Sequence, residues 1–308
     1  MHAQLPAIRR YGTATIEAAA ALIRAGAIVA VPTETVYGLA ANARDSAAVA
    51  WIYAAQGRPS FNPLIVHVTD RAAAEAIAHF DADARALADR FWPGPLTLVL
   101  PLRAEAGIAA LVTAGLDTVA VRVPAHRAMR ALLAETALPL AAPSANASNA
   151  ISPTCADHVV ASLGERVPLV IDDGATTEGV ESTIVAGRAI LRPGPVTMEM
   201  LASVLPVAAG ATAHVSAPGQ LATHYAPVKP LRLDALTARD GEWLIGFGAV
   251  TGDDTLSATG DPVEAAARLF AALHRADASD RAAIAVAPVP EAGLGVAIND
   301  RLRRAATR

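Results

Sequence analysis

Val29-Ala30-Val31-Pro32-Thr33-Glu34-Thr35-Val36-Tyr37-Gly38-Leu39-Ala40-Ala41 decides the reading of this chain. An apolar run rich in β-branched residues, Ala27 to Val31, stops at a proline and gives way to alternating hydroxyls, one carboxylate and a Tyr-Gly turn. That order predicts a buried strand delivering a polar loop to a site. Thr and Gly also punctuate ordinary loops, so turn chemistry and a binding role both fit this stretch taken alone.

Outward from it, Thr15 to Gly26 reads as an amphipathic helix, with Ile16, Ala19, Ala20, Leu22 and Ile23 on one face and Gly26 as a stop. On the other side a helix is expected over Ser46 to Ala55. It leads into Gln56-Gly57-Arg58-Pro59-Ser60-Phe61-Asn62-Pro63-Leu64-Ile65-Val66-His67-Val68, a second polar, Pro-stiffened loop feeding an apolar strand. Together the two segments resemble the YrdC-like family, the threonylcarbamoyl-AMP synthases, whose members carry a PTETVYGL run followed by a KGRP…NPL run.

Farther along, Asp70 to His79 and Asp81 to Phe91 read as helices, and Phe91 to Leu100 as a Pro-Gly-Pro turn and a strand, with Phe91 and Trp92 packed under the sheet. Asp117 to Pro124 alternates, so Thr118, Ala120 and Arg122 share one strand face. An Arg in a sheet interior is costly unless it meets an anion. A solvated surface strand and a clamp for carboxylate or phosphate both satisfy the pattern, the clamp because guanidinium offers a bidentate fork. A helix over His126 to Thr136 and a short strand over Leu138 to Pro143 then lead into Ser144-Ala145-Asn146-Ala147-Ser148-Asn149-Ala150-Ile151-Ser152-Pro153. Such a small-residue loop brings backbone N–H groups and hydroxyls close to a ligand, or is simply a Ser/Asn turn. It lacks GxxxxGK[ST] spacing and is no ordinary P-loop. Leu169 to Gly174 ends a strand in Asp172 and Asp173, which either face water or contact Mg²⁺. Strands are expected again at Gly179 to Val185 and Ala189 to Val196, and a helix at Thr197 to Leu205.

At 308 residues, 53% of them hydrophobic, the chain is long enough for two domains with sizeable cores. Its mean hydropathy of +0.37 comes largely from alanine dispersed among charges, and no window offers the eighteen or more uncharged apolar residues that a membrane span needs. Met1 to Tyr11 does not read as a signal peptide, so the expected location is cytoplasmic. The single cysteine, Cys155, excludes an internal disulfide and a Cys-based metal cluster, and reads as a small buried hydrophobe. A net charge of −4 provides no global basic field for nucleic acid.

Val207 to Ala217 lacks periodicity and runs into Pro218 to Pro227, which reads as an interdomain linker. His224-Tyr225-Ala226-Pro227 resembles the PG…HYAP linker of the longer, two-domain family members. Beyond it, short apolar strands (Trp243 to Phe247, Ala283 to Ala287) alternate with helices (Pro262 to Arg275, Gly293 to Ala306) and predict a small parallel, Rossmann-like α/β domain. No GxGxxG follows its first strand, so no dinucleotide is assigned. The expected division is a catalytic domain over 1–206, a linker or lid over 207–229 and an accessory domain over 230–308.

The resemblance implies an α/β fold with a YrdC-like twisted mixed sheet and flanking helices. It implies a nucleotidyltransferase that makes L-threonylcarbamoyladenylate from L-threonine, bicarbonate and ATP, releasing pyrophosphate, for the t6A modification of tRNA by a downstream threonylcarbamoyltransferase. Mg²⁺ is expected with the polyphosphate, with no protein ligand assigned. Carried over by motif position, the threonine contacts are Thr33, His67, Thr118, Arg122 and Ser182. The nucleotide contacts are Gln56, Arg58, Asn62, Ala142 through its backbone, Ser144, Asn146, Ser152, Arg192 and Tyr225. His67 taken alone also fits a satisfied core histidine.

One position departs from the pattern. Gln56 stands where KGRP has lysine, which keeps reach and hydrogen bonding but removes a charge whose contact is worth about 1.5–3 kcal/mol. Two other functions fit the resemblance: an O-carbamoyltransferase making carbamoyl-adenylate, and a non-catalytic module with weak RNA contact, against which the negative net charge argues.

Overall fold

The computed structural model describes residues 7–59, 61–210 and 224–307. Ser60 and most of the expected linker, Pro218 and Gly219 included, lie outside the described residues.

The larger sheet is built from β1 (Ala7–Arg10), β2 (Val29–Pro32), β3 (Tyr37–Asn42), β4 (Ile65–His67), β5 (Leu96–Pro101), β6 (Thr118–Arg122), β7 (Leu140–Ala141), β8 (Leu169–Asp172), β9 (Thr183–Ala186), β10 (Ala189–Arg192) and β11 (Ala208–Ala209). They lie in the order β1-β8-β2-β3-β7-β4-β6-β5-β9-β10-β11. Pairing is mixed: β2–β3, β3–β7, β4–β7, β5–β6 and β9–β10 are antiparallel, while β1–β8, β4–β6 and β5–β9 are parallel. A second sheet follows from β12 (Leu231–Arg232), β13 (Glu242–Gly246), β14 (Asp254–Thr255) and β15 (Ala283–Val286), ordered β12-β15-β13-β14 and parallel throughout. The expected α/β class, mixed sheet and small parallel C-terminal unit are all present.

Alternation along β2 decides which side each residue serves. Val29 and Val31 join Ile16, Ile23, Met129 and Leu132 beneath the helices Thr13–Arg24 and Arg127–Thr136, whereas Ile28 and Ala30 join Leu39, Ile52, Leu64 and Val121 on the opposite face. The helix Ser46–Gln56 starts where the Asp45 carboxylate accepts the Ala47 and Ala48 amides, and stops at Gly57, whose φ of +61° is left-handed.

Two expectations change. Tyr37-Gly38 is no turn but the start of β3, because Gly38 lets the strand approach its neighbour: a Cβ there would lie 3.3 Å from that of Ala142. The helix expected over Asp70 to His79 is confined to Arg71–Glu75, since Ala78 bridges Leu102 and the His79 amide bonds to Pro101, so the edge of β5 captures the chain. The helix Ala156–Leu163 and strand β1 were not anticipated.

Candidate active site

The four-residue loop between β2 and β3 is folded by its own hydroxyls. Thr33 Oγ1 accepts from the amides of Thr35 (3.2 Å) and Val36 (3.3 Å) and donates to the Val36 carbonyl at 2.7 Å. This local turn aims Glu34 and Thr35 at Arg122, which strand register sets beside His67. Arg122 Nη1 donates to Thr35 Oγ1 at 3.0 Å and Nε to the Gly94 carbonyl at 3.2 Å, so the Pro-Gly-Pro turn is part of the site. Its Nη2 lies 2.6 Å from Glu34 Oε1 in a buried ion pair. The other Glu34 oxygen accepts from the amides of Ala125 (3.2 Å) and His126 (3.4 Å). Burial pushes the Glu34 pKa up, but the Arg122 charge and these bonds outweigh it and hold the carboxyl below its ordinary range. Burial, reinforced by the Arg122 charge, drives His67 down to about 3, so its imidazole is neutral at working pH. His67 Nδ1 has no partner among the described residues.

Ser182 stands just before β9, its hydroxyl 2.7 Å from Thr97 Oγ1 and 3.1 Å from Arg192 Nη2, while Arg192 Nε bonds to its carbonyl at 3.0 Å. Arg58 turns back on its own loop, donating to the carbonyls of Asn62 (3.2 Å) and Pro63 (3.0 Å). Burial lowers its pKa to about 10, which leaves it cationic at neutral pH. Tyr225, in the left-handed region at φ +64°, is buried beside Phe270 and His224. Its hydroxyl and the Nδ1 of His224 have no partner among the described residues. Glu181, also buried, accepts from the Ser152 hydroxyl and from Arg301 Nε. Burial raises its pKa, and the charge of Arg301, followed by that of Arg192, overcomes this and lowers it.

These groups gather around one hollow. Of the expected threonine set it is lined by Thr33, His67, Arg122 and Ser182; of the nucleotide set, by Arg58, Ala142, Ser144, Arg192 and Tyr225. Thr118 lies outside that lining, four residues or about 13 Å back along β6 from Arg122. Ala120, between them, packs with Ile65, Val99 and Ile184.

Two family patterns cover nearly the whole chain. One, described as "Telomere recombination" and comprising Sua5, YciO and YrdC, matches residues 21–194; the other, "Threonylcarbamoyl-AMP synthase, C-terminal domain", matches 196–307. The chain belongs to the Sua5/YciO/YrdC family. The threonylcarbamoyl-AMP synthase of Pyrococcus abyssi is 41% identical over 94% of this chain and 93% of its own length. That of Bacillus subtilis is 40% identical over 94% and 92%. The crystal structure of P. abyssi Sua5 complexed with L-threonine superposes with a TM-score of 0.88 at 37% identity, covering 98% of each chain. A nucleotide-bound HypF, 20% identical with a TM-score of 0.52, shares the fold over 60% of this chain.

In this Sua5/YciO/YrdC member four of the expected residues stand behind the hollow. Gln56 Nε2 donates to the carbonyls of Ser144 (2.6 Å) and Asn146 (3.1 Å), tying the Gln56-Gly57-Arg58-Pro59 loop to the Ser/Asn loop. Asn146 Nδ2 closes that loop on the carbonyls of Ala147 (2.8 Å) and Ala150 (3.0 Å). The Asn62 side chain is buried, with its oxygen unpartnered among the described residues. Ser152 gives its hydroxyl to Glu181.

The possible Mg²⁺ contacts serve the fold instead. Asp173 is ion-paired with Arg127, Asp172 Oδ1 accepts the Gly174 amide at 3.0 Å, and neither lines the hollow. Among the described residues no three His, Cys, Asp or Glu side chains converge as metal ligands, and Glu34 and Glu181 are each committed to an arginine. Among the described residues the donor set does not fit a resident metal. Sequence reasoning had not singled out Glu34, Thr35, Glu181, His224 or Arg301 as site residues. The first two sit inside the stretch that opened the reading, whereas Arg301 is one of several arginines on a helix and carries no local signal.

Proposed function

We propose that this protein condenses L-threonine, bicarbonate and ATP into L-threonylcarbamoyladenylate, releasing pyrophosphate, and so supplies the intermediate that a downstream threonylcarbamoyltransferase places on tRNA as t6A. The observation that carries the reading is the single hollow, in which a neutral His, hydroxyls and Arg122 meet Arg58, Arg192 and Tyr225. Its support is the match over 98% of the chain to a Sua5 described as complexed with L-threonine.

In this reading the threonine amine attacks the bicarbonate carbon, water leaves, and the resulting carbamate oxygen attacks the α-phosphorus while the bond to pyrophosphate breaks. The protein's part is positioning and electrostatics. Arg122 has N–H directions left beyond those used on Gly94, Thr35 and Glu34, and they take the substrate carboxylate. Neutral His67 hydrogen-bonds threonine without adding charge. Arg58 and Arg192 counter the charge that gathers on the phosphates. Tyr225 covers the nucleotide as a lid while its ring packs on Phe270.

Purified protein given ATP, Mg²⁺, bicarbonate and L-threonine should release pyrophosphate only when threonine is present, with the adenylate identified by mass spectrometry. Release with carbamoyl phosphate but not with threonine would replace this reading by the carbamoyltransferase. RNA binding without any turnover would favour the non-catalytic module.

A further inference from the structure

One buried cation beside the hollow comes from the far end of the chain. Arg301 lies in the helix Leu294–Ala306 and is fully buried. Its Nε donates to Glu181 Oε2 at 2.8 Å, its Nη2 to the Glu181 carbonyl at 3.3 Å, and its Nη1 to the Pro193 carbonyl at 2.7 Å. Its guanidinium carbon stands 5.4 Å from the centroid of the Tyr225 ring, within cation–π range. A single side chain therefore grips the loop before β9, the turn just past Arg192, and the expected lid.

Glu181 is the group that needs it. This carboxylate lines a hollow whose expected occupant is a polyanion, and an uncompensated buried negative charge there would repel the phosphates. Arg301 neutralises it from behind. The packing around Glu181 leads to the same unit: Gly179 has φ +67°, and a Cβ on it would come within 2.3 Å of the Ala266 carbonyl in the helix Pro262–Ala278. Val180 and Ile151 share an apolar cluster with Phe270 and Leu273 of that helix. His274 Nε2 lies 3.1 Å from the carbonyl of Ser152, whose hydroxyl holds the other Glu181 oxygen.

We propose that Arg301 is a positioning residue for the nucleotide: by neutralising Glu181 and backing Tyr225, the C-terminal unit completes a polyphosphate site that the larger sheet does not complete alone. The inference rests on the assignment of the Arg58 and Arg192 side of the hollow to ATP.

The test is ATP binding to the full-length protein by titration calorimetry without threonine, read together with the KM values of both substrates. Arg301→Met should weaken ATP binding about ten- to a hundredfold and raise the ATP KM in proportion, with the threonine KM moving by less than about twofold. Combining it with Glu181→Gln should recover most of that loss, because the carboxylate lining the hollow is then gone while Asp300, the other carboxylate paired with Arg301 (2.9 Å), keeps its pair with Arg304 (3.0 Å), and Arg301→Lys should fall between wild type and Arg301→Met. Should Arg301→Met fail to fold, Arg301→Lys and the double variant carry the same comparison. The inference is overturned if Arg301→Met binds ATP like wild type, if the double variant stays as weak as the single one, or if both KM values rise together with no relief from Glu181→Gln, the mark of simple domain docking. Wild-type protein that binds no ATP would overturn the nucleotide assignment and this inference with it.

Discussion

The two ends of the hollow are built in different ways. The side proposed for threonine is made within the larger sheet: the β2–β3 loop carries Thr33, Glu34 and Thr35, parallel pairing of β4 with β6 sets His67 beside Arg122, and Ser182 leads into β9. The side proposed for the nucleotide borrows from elsewhere, taking Tyr225 from within the expected linker and, behind Glu181, Arg301 from the helix Leu294–Ala306. The first is a matter of strand register, the second of two units docking. A side chain on the threonine side should therefore affect one substrate and local stability, whereas one on the nucleotide side should couple ATP binding to the C-terminal unit.

The largest effect separating the two ends should come from Arg122→Ala. It strands Glu34 as an uncompensated buried carboxylate, costing about 3–5 kcal/mol of stability in urea unfolding. In protein that remains folded it should raise the threonine KM on the order of a hundredfold and the ATP KM far less. An equal rise in both would mean that the two ends are not separable.

Tyr225 probes the other end. Tyr225→Ala should weaken ATP binding about tenfold and let ATP hydrolysis run without threonine, with Tyr225→Phe in between, because the ring stays and only the hydroxyl goes, which has no partner among the described residues. Unchanged ATP affinity and coupling in Tyr225→Ala would reduce this residue to a staple. Truncation after Leu205 is a blunter instrument, since it also removes Arg301 and uncovers Val36, Ile151 and Val180.

Acid should loosen both ends together. The folded-state pKa values of His67 and His224 are about 3, each lowered first by burial, against about 6.5 in an unfolded chain. The unfolded state therefore binds the extra protons, and stability is fully present above about pH 6.5 and falls as the pH drops from there towards 3. At pH 5 each histidine removes at most about 2 kcal/mol. Urea midpoints at pH 7.5, 6 and 5 should fall in that order, and His67→Asn and His224→Asn should each flatten the slope. A slope untouched by both would assign the acid sensitivity to other groups.

The smallest effect is expected at Gln56. Lysine there could keep both bonds, to the carbonyls of Ser144 and Asn146, while adding a charge behind the phosphates. Gln56→Lys should lower the ATP KM a few-fold, within about 1 kcal/mol, and leave the threonine KM alone. A rise in the ATP KM would show that this loop pair has adapted to a neutral side chain.

Much of this was legible in the residues. An apolar β-branched run located β2, alternation located β6, and two short polar runs carried the family and seven of the sixteen residues that line the hollow. What the sequence determined by itself were local matters: the period of each element, the capped ends, and which loops are polar, because those follow from neighbours a few positions apart. Tertiary structure alone decided that Gln56 faces a loop and not the hollow, that Thr118 stops short of it, that Ala78 leaves its helix for the edge of β5, and that Arg301 reaches Glu181 across 120 positions of sequence. A buried charge must find a countercharge wherever the chain can bring one, and no local pattern specifies that distance.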